Sequence, residues 1–238
     1  MSTTTELRGF VTGLILGDGK IDKGVEKRAF VLTSTNTDFI FRVAKYFQSN
    51  TNFKLQITDR AGYTDKHGAF HRPCQVLSIK AHPYFAKLYH HFYTDTRGRR
   101  ISSKALSWLT PAGLANWYLS DGYIVLVGNT TGKIKDRRVE LATDRYSEAD
   151  VDRAIRYFEK EFGYTVSKVK RKPGCYRIRF SLKSAQHFLY MISSYVPFSM
   201  RYKLDLRYDY KPIWMTDEYY GLMMSLNSAN SPTWRQED

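Results

Sequence analysis

VTGLILGDG, Val11 to Gly19, and LANWYLSDG, Leu114 to Gly122, decide how this chain is read. Each is an apolar run with small residues that closes on Asp-Gly, and each opens one copy of a longer repeat. After the first come strand-like RAFVLTS, helix-like TDFIFRVAKYFQ, alternating FKLQITDR, strand-like QVLSIK and helix-like HPYFAKLYHHFY. After the second, the same order returns as RRVELAT, EADVDRAIRYFEKEFG, YTVSKVKRK, CYRIRFSLK and SAQHFLYMISSYV. An α-β-β-α-β-β-α pattern met twice predicts an α+β fold duplicated about a pseudo-twofold axis. The halves are expected at residues 1–95 and 110–212, joined by an Arg-rich linker at 96–109. An extension at 213–238 follows, with a flexible end.

The two opening helices carry clear local signals. Thr110 supplies an N-cap side chain and Pro111 a first-turn residue without the N–H that would go unpaired. The helix is expected to stop at Gly122 in the left-handed conformation that closes many helices. In the first copy Gly13 and Gly17 stand four apart beside small Thr12, a spacing that lets two helix backbones approach closely.

Composition narrows the partner. The 238 residues hold 37 Lys and Arg against 23 Asp and Glu, a net charge of +14, which attracts polyanions and makes nucleic acid the leading ligand. No run approaches the length of about 20 apolar residues that a membrane span needs, and MSTTTELRGF lacks the pattern of a signal peptide. A soluble intracellular protein is expected. Cys74 and Cys175 are isolated from each other and from paired histidines, so neither a disulfide framework nor a zinc finger is suggested. His90 and His91 point apart on a helix, and His82 and His187 have no ligand spacing, so all four are read as surface or packing residues. Neither GxGxxG nor GxxxxGK[ST] is present, which argues against nucleotide binding.

Both Asp-Gly segments resemble the LAGLIDADG motif. GLILGDGKI, LTPAGLANWYLSDG and SMRYKL, in that order, are similar to the intron-encoded, single-chain members of the LAGLIDADG homing endonucleases, over roughly Glu6 to Arg207. The resemblance implies two motif helices side by side at the pseudo-twofold axis and two curved antiparallel sheets forming a saddle over DNA. It implies a monomer that cuts one phosphodiester per strand across the minor groove and leaves 3′ overhangs. Asp18 and Asp121 would be catalytic and metal-binding, with Gly17 and Ser120 completing the metal ligands and Lys203 of SMRYKL acting near the reacting phosphate. Arg100 is the chosen first-half counterpart of Lys203, with Arg99 and Lys104 as alternatives. Magnesium is the implied cofactor, manganese a substitute, and calcium an ion that supports binding without efficient cutting. Elementary electrostatics agrees, because a carboxylate at a helix C-terminus faces the last carbonyls, and two converging ones repel unless a cation neutralises them. Leu16 and Leu119 replace the first motif Asp, and Asn116 replaces the Gly matched by Gly13, which loosens the helix contact or adds a hydrogen bond. An RNA-binding intron maturase and a non-cleaving DNA-binding regulator remain open, although retention of both Asp residues argues against the regulator.

The strands carry the expected DNA contacts. In SKVKRKPGCYRIRF, Lys168, Lys170 and Lys172 alternate before a Pro173-Gly174 turn, and Arg177 and Arg179 after it, with Tyr176, Ile178 and Phe180 on the core side. The two sets are expected to form one charged ribbon for the major groove. Lys54, Gln56, Thr58 and Arg60 are the weaker first-half equivalent, and Lys133, Lys135 and Arg137 are counted with the same interface. Affinity for a duplex should therefore fall steeply with salt. About 6–10 phosphate contacts correspond to a loss on the order of 10³- to 10⁵-fold between about 50 and 200 mM. A salt titration of duplex affinity checks this, and a flat response contradicts an extended phosphate-tracking surface.

Overall fold

The computed structural model describes residues 4–22, 27–94, 98–128 and 134–204, with side chains for all of these except 126–128 and 134–137. Helix α1 (Thr4–Leu16) leads into β1 (Lys20–Ile21), β2 (Arg28–Ser34), α2 (Thr37–Asn50) and β3 (Leu55–Arg60). A short ribbon of β4 (Tyr63–Thr64) and β5 (Phe70–His71) precedes β6 (Cys74–His82) and α3 (Pro83–Phe92). After α4 (Ser103–Leu106) the order repeats as α5 (Pro111–Asp121), β7 (Gly122–Gly128), β8 (Ile134–Ala142), α6 (Glu148–Phe162), β9 (Val166–Lys172), β10 (Cys175–Phe180) and α7 (Leu182–Ile192). Two 3₁₀ turns, Ser193–Tyr195 and Phe198–Lys203, complete it. The expected 213–238 extension lies outside the described residues. Among them, no helix is long and apolar enough to cross a membrane.

The predicted duplication is present in the strand order. The sheets run β1-β2-β6-β3 and β7-β8-β10-β9, all neighbours antiparallel. Register matches too: Leu32 pairs with Leu77 in the first sheet, as Leu141 pairs with Ile178 in the second. Each sheet is covered on one face by its helices. Phe39, Ile40, Val43, Ala44 and Phe47 make the buried stripe of α2, and Val151, Ala154 and Phe158 that of α6. Side chains cap the helix ends: Asn36 Oδ1 accepts from the Phe39 amide, Ser147 Oγ from the Asp150 amide, and His82 Nδ1 from the Tyr84 amide. His82 thus caps α3, His91 meets Trp108 edge-on, and His187 bonds Tyr164, which are packing roles. The joining segment is more than a linker, since Ile101, Ala105 and Leu106 are buried in the core.

At the centre lie α1 and α5. Every residue from Gly9 to Leu16 is buried, as is every residue from Gly113 to Leu119. Helices without a polar face must be enclosed on all sides, and these enclose each other. Missing side chains allow it. A Cβ on Gly13 would stand 1.7 Å from the Gly113 carbonyl oxygen, and one on Gly113 would stand 2.1 Å from that of Gly9. Gly9, not singled out above, extends the small-residue stripe to Gly9, Gly13 and Gly17. Asn116 adds the hydrogen bond: its Nδ2 donates to the Phe10 carbonyl at 3.0 Å, and its Oδ1 accepts from Arg42. Burial lowers the Arg42 guanidinium to about 10.

Thr110 and Pro111 start α5 as expected, with Thr110 Oγ1 accepting from the Gly113 amide at 3.2 Å. Gly122 corrects the expectation for its end. It is extended (φ −86°, ψ 151°) and passes directly into β7. Glycine is needed there because a Cβ would lie 1.9 Å from the Tyr118 ring.

Gly13→Ala should destabilise the protein by about 1–3 kcal/mol through overpacking, even though Ala is about 1 kcal/mol the better helix former. Lys45→Ala on exposed helix surface should stay within about 0.5 kcal/mol. Denaturant midpoints of the two variants check this, and a stabilised Gly13→Ala would contradict backbone contact.

Candidate active site

Asp18 lies just beyond α1 and Asp121 ends α5, so the glycine contact delivers both carboxylates to one place. A single guanidinium touches both. Arg145 Nη2 lies 2.6 Å from Asp121 Oδ1 and 3.5 Å from Asp18 Oδ1, while its Nη1 donates to the Gly17 carbonyl at 3.1 Å. The carboxylates are not equivalent. Asp18 is 43% exposed, Asp121 only 9%, and Asp121 Oδ2 is buried without a partner. Burial pushes the Asp121 carboxyl up to about 7, an effect that Asp18 reinforces and Arg145 opposes.

Arg145 was not among the expected site residues. It sits in the turn between β8 and α6, Thr143 to Ser147, where the first half has only Thr35 and Asn36 between β2 and α2. That extra length is the signal available in the sequence. The turn is firmly held: Thr143 Oγ1 donates to the Tyr176 carbonyl, and Tyr146 hydroxyl to the Leu16 carbonyl, each at 2.7 Å.

The expected basic residues divide. Lys203 reaches the helix ends, its Nζ donating to the Leu119 carbonyl at 2.6 Å. Burial lowers it to about 8, against the pull of Asp121 and Asp18. Of the first-half candidates, Arg99, one of the two alternatives to Arg100, is the one whose side chain bonds the end of α1. Arg99 Nη1 donates to the carbonyls of Ile15 (3.0 Å) and Gly17 (2.7 Å), and Nη2 to that of Gly19 (2.8 Å). The Tyr93–Arg99 bridge makes this segment extended, so adjacent side chains diverge. Arg100 lies instead near His91, where burial, with help from its charge, holds the imidazole below its ordinary range. Gly17, expected as a metal ligand, has its carbonyl engaged by Arg99 and Arg145. Ser120 Oγ donates to the Asn116 carbonyl at 3.1 Å.

A cleft of about 470 Å³ adjoins the site on its Asp18 side and is not lined by Asp121, Arg145 or Arg99. Asp18, Ser120 and Lys203 line it together with Lys20, Thr33 and Arg60 of the first sheet. Among the described residues, no three His, Cys, Asp or Glu side chains gather as a metal cluster. A cation at the helix ends would therefore draw on two carboxylates with carbonyl or water oxygens.

The sheet faces away from the helices bring together some of the expected contact residues. Gln56, Thr58 and Arg60 are exposed and pair across with Ser78, Val76 and Cys74, while Leu55 and Ile57 turn to the core. Lys54, also exposed, joins them just before β3. The second-half ribbon needs correction. Lys168 stands opposite Ile178 and Lys170 opposite Tyr176, so both share the helix-side register, away from Arg177 and Arg179, which face Val169 and Ser167. Lys168 accordingly reaches α6, with Nζ 2.8 Å from Asp152 Oδ1 and 2.5 Å from Glu148 Oε1. Beyond a bulge, Lys172 pairs with Cys175, in the arginine register. Pro173 and Gly174 make the expected turn, with Gly174 at φ 74°. Lys133 and the side chains of Lys135 and Arg137 lie outside the described residues.

Known proteins share this fold. The fold matches the homing endonuclease I-WcaI bound to its DNA recognition sequence (TM-score 0.70, 20% identity, 86% of this chain and 88% of that one). It also matches a variant of I-DmoI in complex with its target DNA, nicked in the coding strand and in the presence of Mn (TM-score 0.52, 17% identity, 82% and 100%). Full-length DUF199/WhiA from Thermatoga maritima aligns with TM-score 0.53 at 12% identity, over 96% of this chain and 69% of that one. No curated protein sequence matches. The profile of the LAGLIDADG DNA endonuclease family matches residues 8–188, through both motif helices and both sheets. With two Asp-terminated motif helices packed on their glycines in one polypeptide, the chain belongs to the LAGLIDADG DNA endonuclease family.

Proposed function

We propose that the chain is a site-specific endonuclease that hydrolyses one phosphodiester in each strand of a long DNA site, across the minor groove, leaving 3′ overhangs. The observation that carries this reading is the convergence of Asp18 and Asp121 on one guanidinium at paired helix ends, with Asp121 Oδ2 buried and unpartnered. A buried carboxylate oxygen without a donor or cation is costly, and a hard divalent cation with oxygen ligands removes that cost. The donor set fits such an ion. Asp18 and Asp121 would hold it, with the Ser120 carbonyl, and the Gly17 carbonyl once its arginines exchange. When bound, the cation supplies an activated water and charge neutralisation at the phosphate. Magnesium is the proposed ion, and the Mn present with the I-DmoI complex supports a divalent requirement.

The chain's own residues do the rest. Lys203, lowered to about 8, exchanges a proton closer to neutrality than an ordinary lysine, which suits it to order water or protonate the leaving oxygen. Arg99 and Arg145 add positive charge where the phosphate would approach. Gln56, Thr58, Arg60, Lys54, Arg177 and Arg179 would face the duplex in the saddle. DNA as partner is supported by the complexes of I-WcaI and I-DmoI with their targets.

Selection of cut sites from a genomic or random duplex library in magnesium tests the reading. The expected result is one long site with 3′ overhangs, bound but not efficiently cut in calcium. Binding of DNA without cutting under any divalent ion would make the chain a regulator, and preference for intron RNA a maturase. On the selected site, Asp18→Asn and Asp121→Asn should each slow single-turnover cleavage by about 10²-fold or more while leaving calcium-supported binding within a few-fold. Unchanged cleavage in either would remove that Asp from the chemistry. Lys203→Ala should slow the same step by on the order of 10²-fold at saturating enzyme. An unaltered rate leaves Lys203 as a cap on α5.

A further inference from the structure

Glu140 is a carboxylate only 1% exposed, on the sheet face that points away from the helices. It faces two residues across the strands: Arg179 on β10 and Tyr123 on β7. Arg179 donates to Glu140 Oε1 from Nε at 2.8 Å and from Nη2 at 2.6 Å, and Tyr123 hydroxyl donates to Oε2. The neighbouring Arg177 is held differently, by Nε to Asp144 Oδ2 at 2.8 Å and Nη1 to Tyr123 hydroxyl at 2.5 Å.

The fold does not require this buried charge. In the matching register of the first half, Glu140, Arg179 and Arg177 correspond to Val31, Ser78 and Val76, which build the same sheet without an ion. Replacing a buried ion pair by apolar residues is often neutral or stabilising, so stability alone gives no reason for Glu140. Orientation does. With Nε and one N–H of Nη2 fixed on Glu140, Arg179 keeps three of its five donors, including the paired N–H groups at the outer end of the guanidinium. That pair matches O6 and N7 of guanine in the major groove. Arg177 also keeps three donors, but its two bonds go to separate groups, the part-exposed Asp144 and the Tyr123 hydroxyl, in place of one buried carboxylate, which suits a contact with a phosphate oxygen that needs no fixed plane.

We propose that Arg179 reads a guanine in the half-site bound by the second half, that Glu140 is its positioning residue, and that Arg177 binds backbone phosphate without reading a base. The inference rests on the chain's binding a specific DNA site. It also makes the two half-sites chemically different at symmetry-related positions, since Val31 and Ser78 cannot make a bidentate guanine contact.

The test is a complete single-substitution library of the selected duplex, bound in calcium by the full-length wild type and by variants. Arg179→Ala and Arg179→Lys should both lose preference for one guanine, a discrimination of roughly 5- to 150-fold in wild type. Lys keeps the charge opposite Glu140, so that variant remains informative if Ala fails to fold. Glu140→Gln should weaken preference at the same base pair and no other. Arg177→Ala should weaken binding to every sequence alike and lower the salt slope by about one unit. Wild-type preference retained throughout by Arg179→Ala or Arg179→Lys overturns the proposal, as does loss of guanine preference in Arg177→Ala alone. If the wild type selects no duplex, the DNA-binding reading itself fails, and this inference with it.

Discussion

The contact of α1 with α5 through bare backbone is the constraint on which the rest of the structure depends. Because Gly13 meets the Gly113 carbonyl, and Gly113 that of Gly9, the helix axes approach more closely than any pair carrying side chains at those positions. The approach fixes the ends as well as the middles, which is why two carboxylates a whole half of the chain apart in sequence come within reach of one guanidinium. It also carries a cost. Like charges at two helix C-termini oppose each other and the carbonyls behind them, and the protein answers with Arg99, Arg145 and Lys203 on those carbonyls and carboxylates.

Much of this was legible in the sequence. The two Asp-Gly segments, the Thr110-Pro111 start, the alternation in both hairpins and the order of elements rest on local periods of two and 3.6 that each half repeats. What escaped depended on relations between segments. Period two sorts Lys168 from Val169 but does not say which set lies beside Arg177; pairing with β10 settles that, and the bulge before Tyr176 changes it again at Lys172. Arg99 and Arg100 were distinguishable only by the bridge to Tyr93 that orients their strand. The frequency of glycine at left-handed helix ends suggests that role for Gly122, whereas its real constraint is the Tyr118 ring one turn back. Arg145 had no motif at all. Its position follows from three additional residues in one turn, and a length difference carries no hint of where a side chain will reach.

The duplicated halves also show how little of a fold its electrostatics must specify. The same register holds Val31, Ser78 and Val76 in one sheet and Glu140, Arg179 and Arg177 in the other, over cores of the same pattern. Helix-side positions are bound by packing and vary little in kind; those on the opposite face are free to differ. The fold can therefore keep its centre symmetric while its surfaces diverge.

Three consecutive residues of the β8–α6 turn point to three different places. Asp144 holds Arg177 on the sheet, Arg145 holds the carboxylates, and Tyr146 holds the Leu16 carbonyl at the end of α1. Neighbouring Cα atoms are about 3.8 Å apart, so all three contacts start from one short stretch of backbone. One short turn thereby ties the second sheet to the ends of both central helices, at a place where the first half has only two residues.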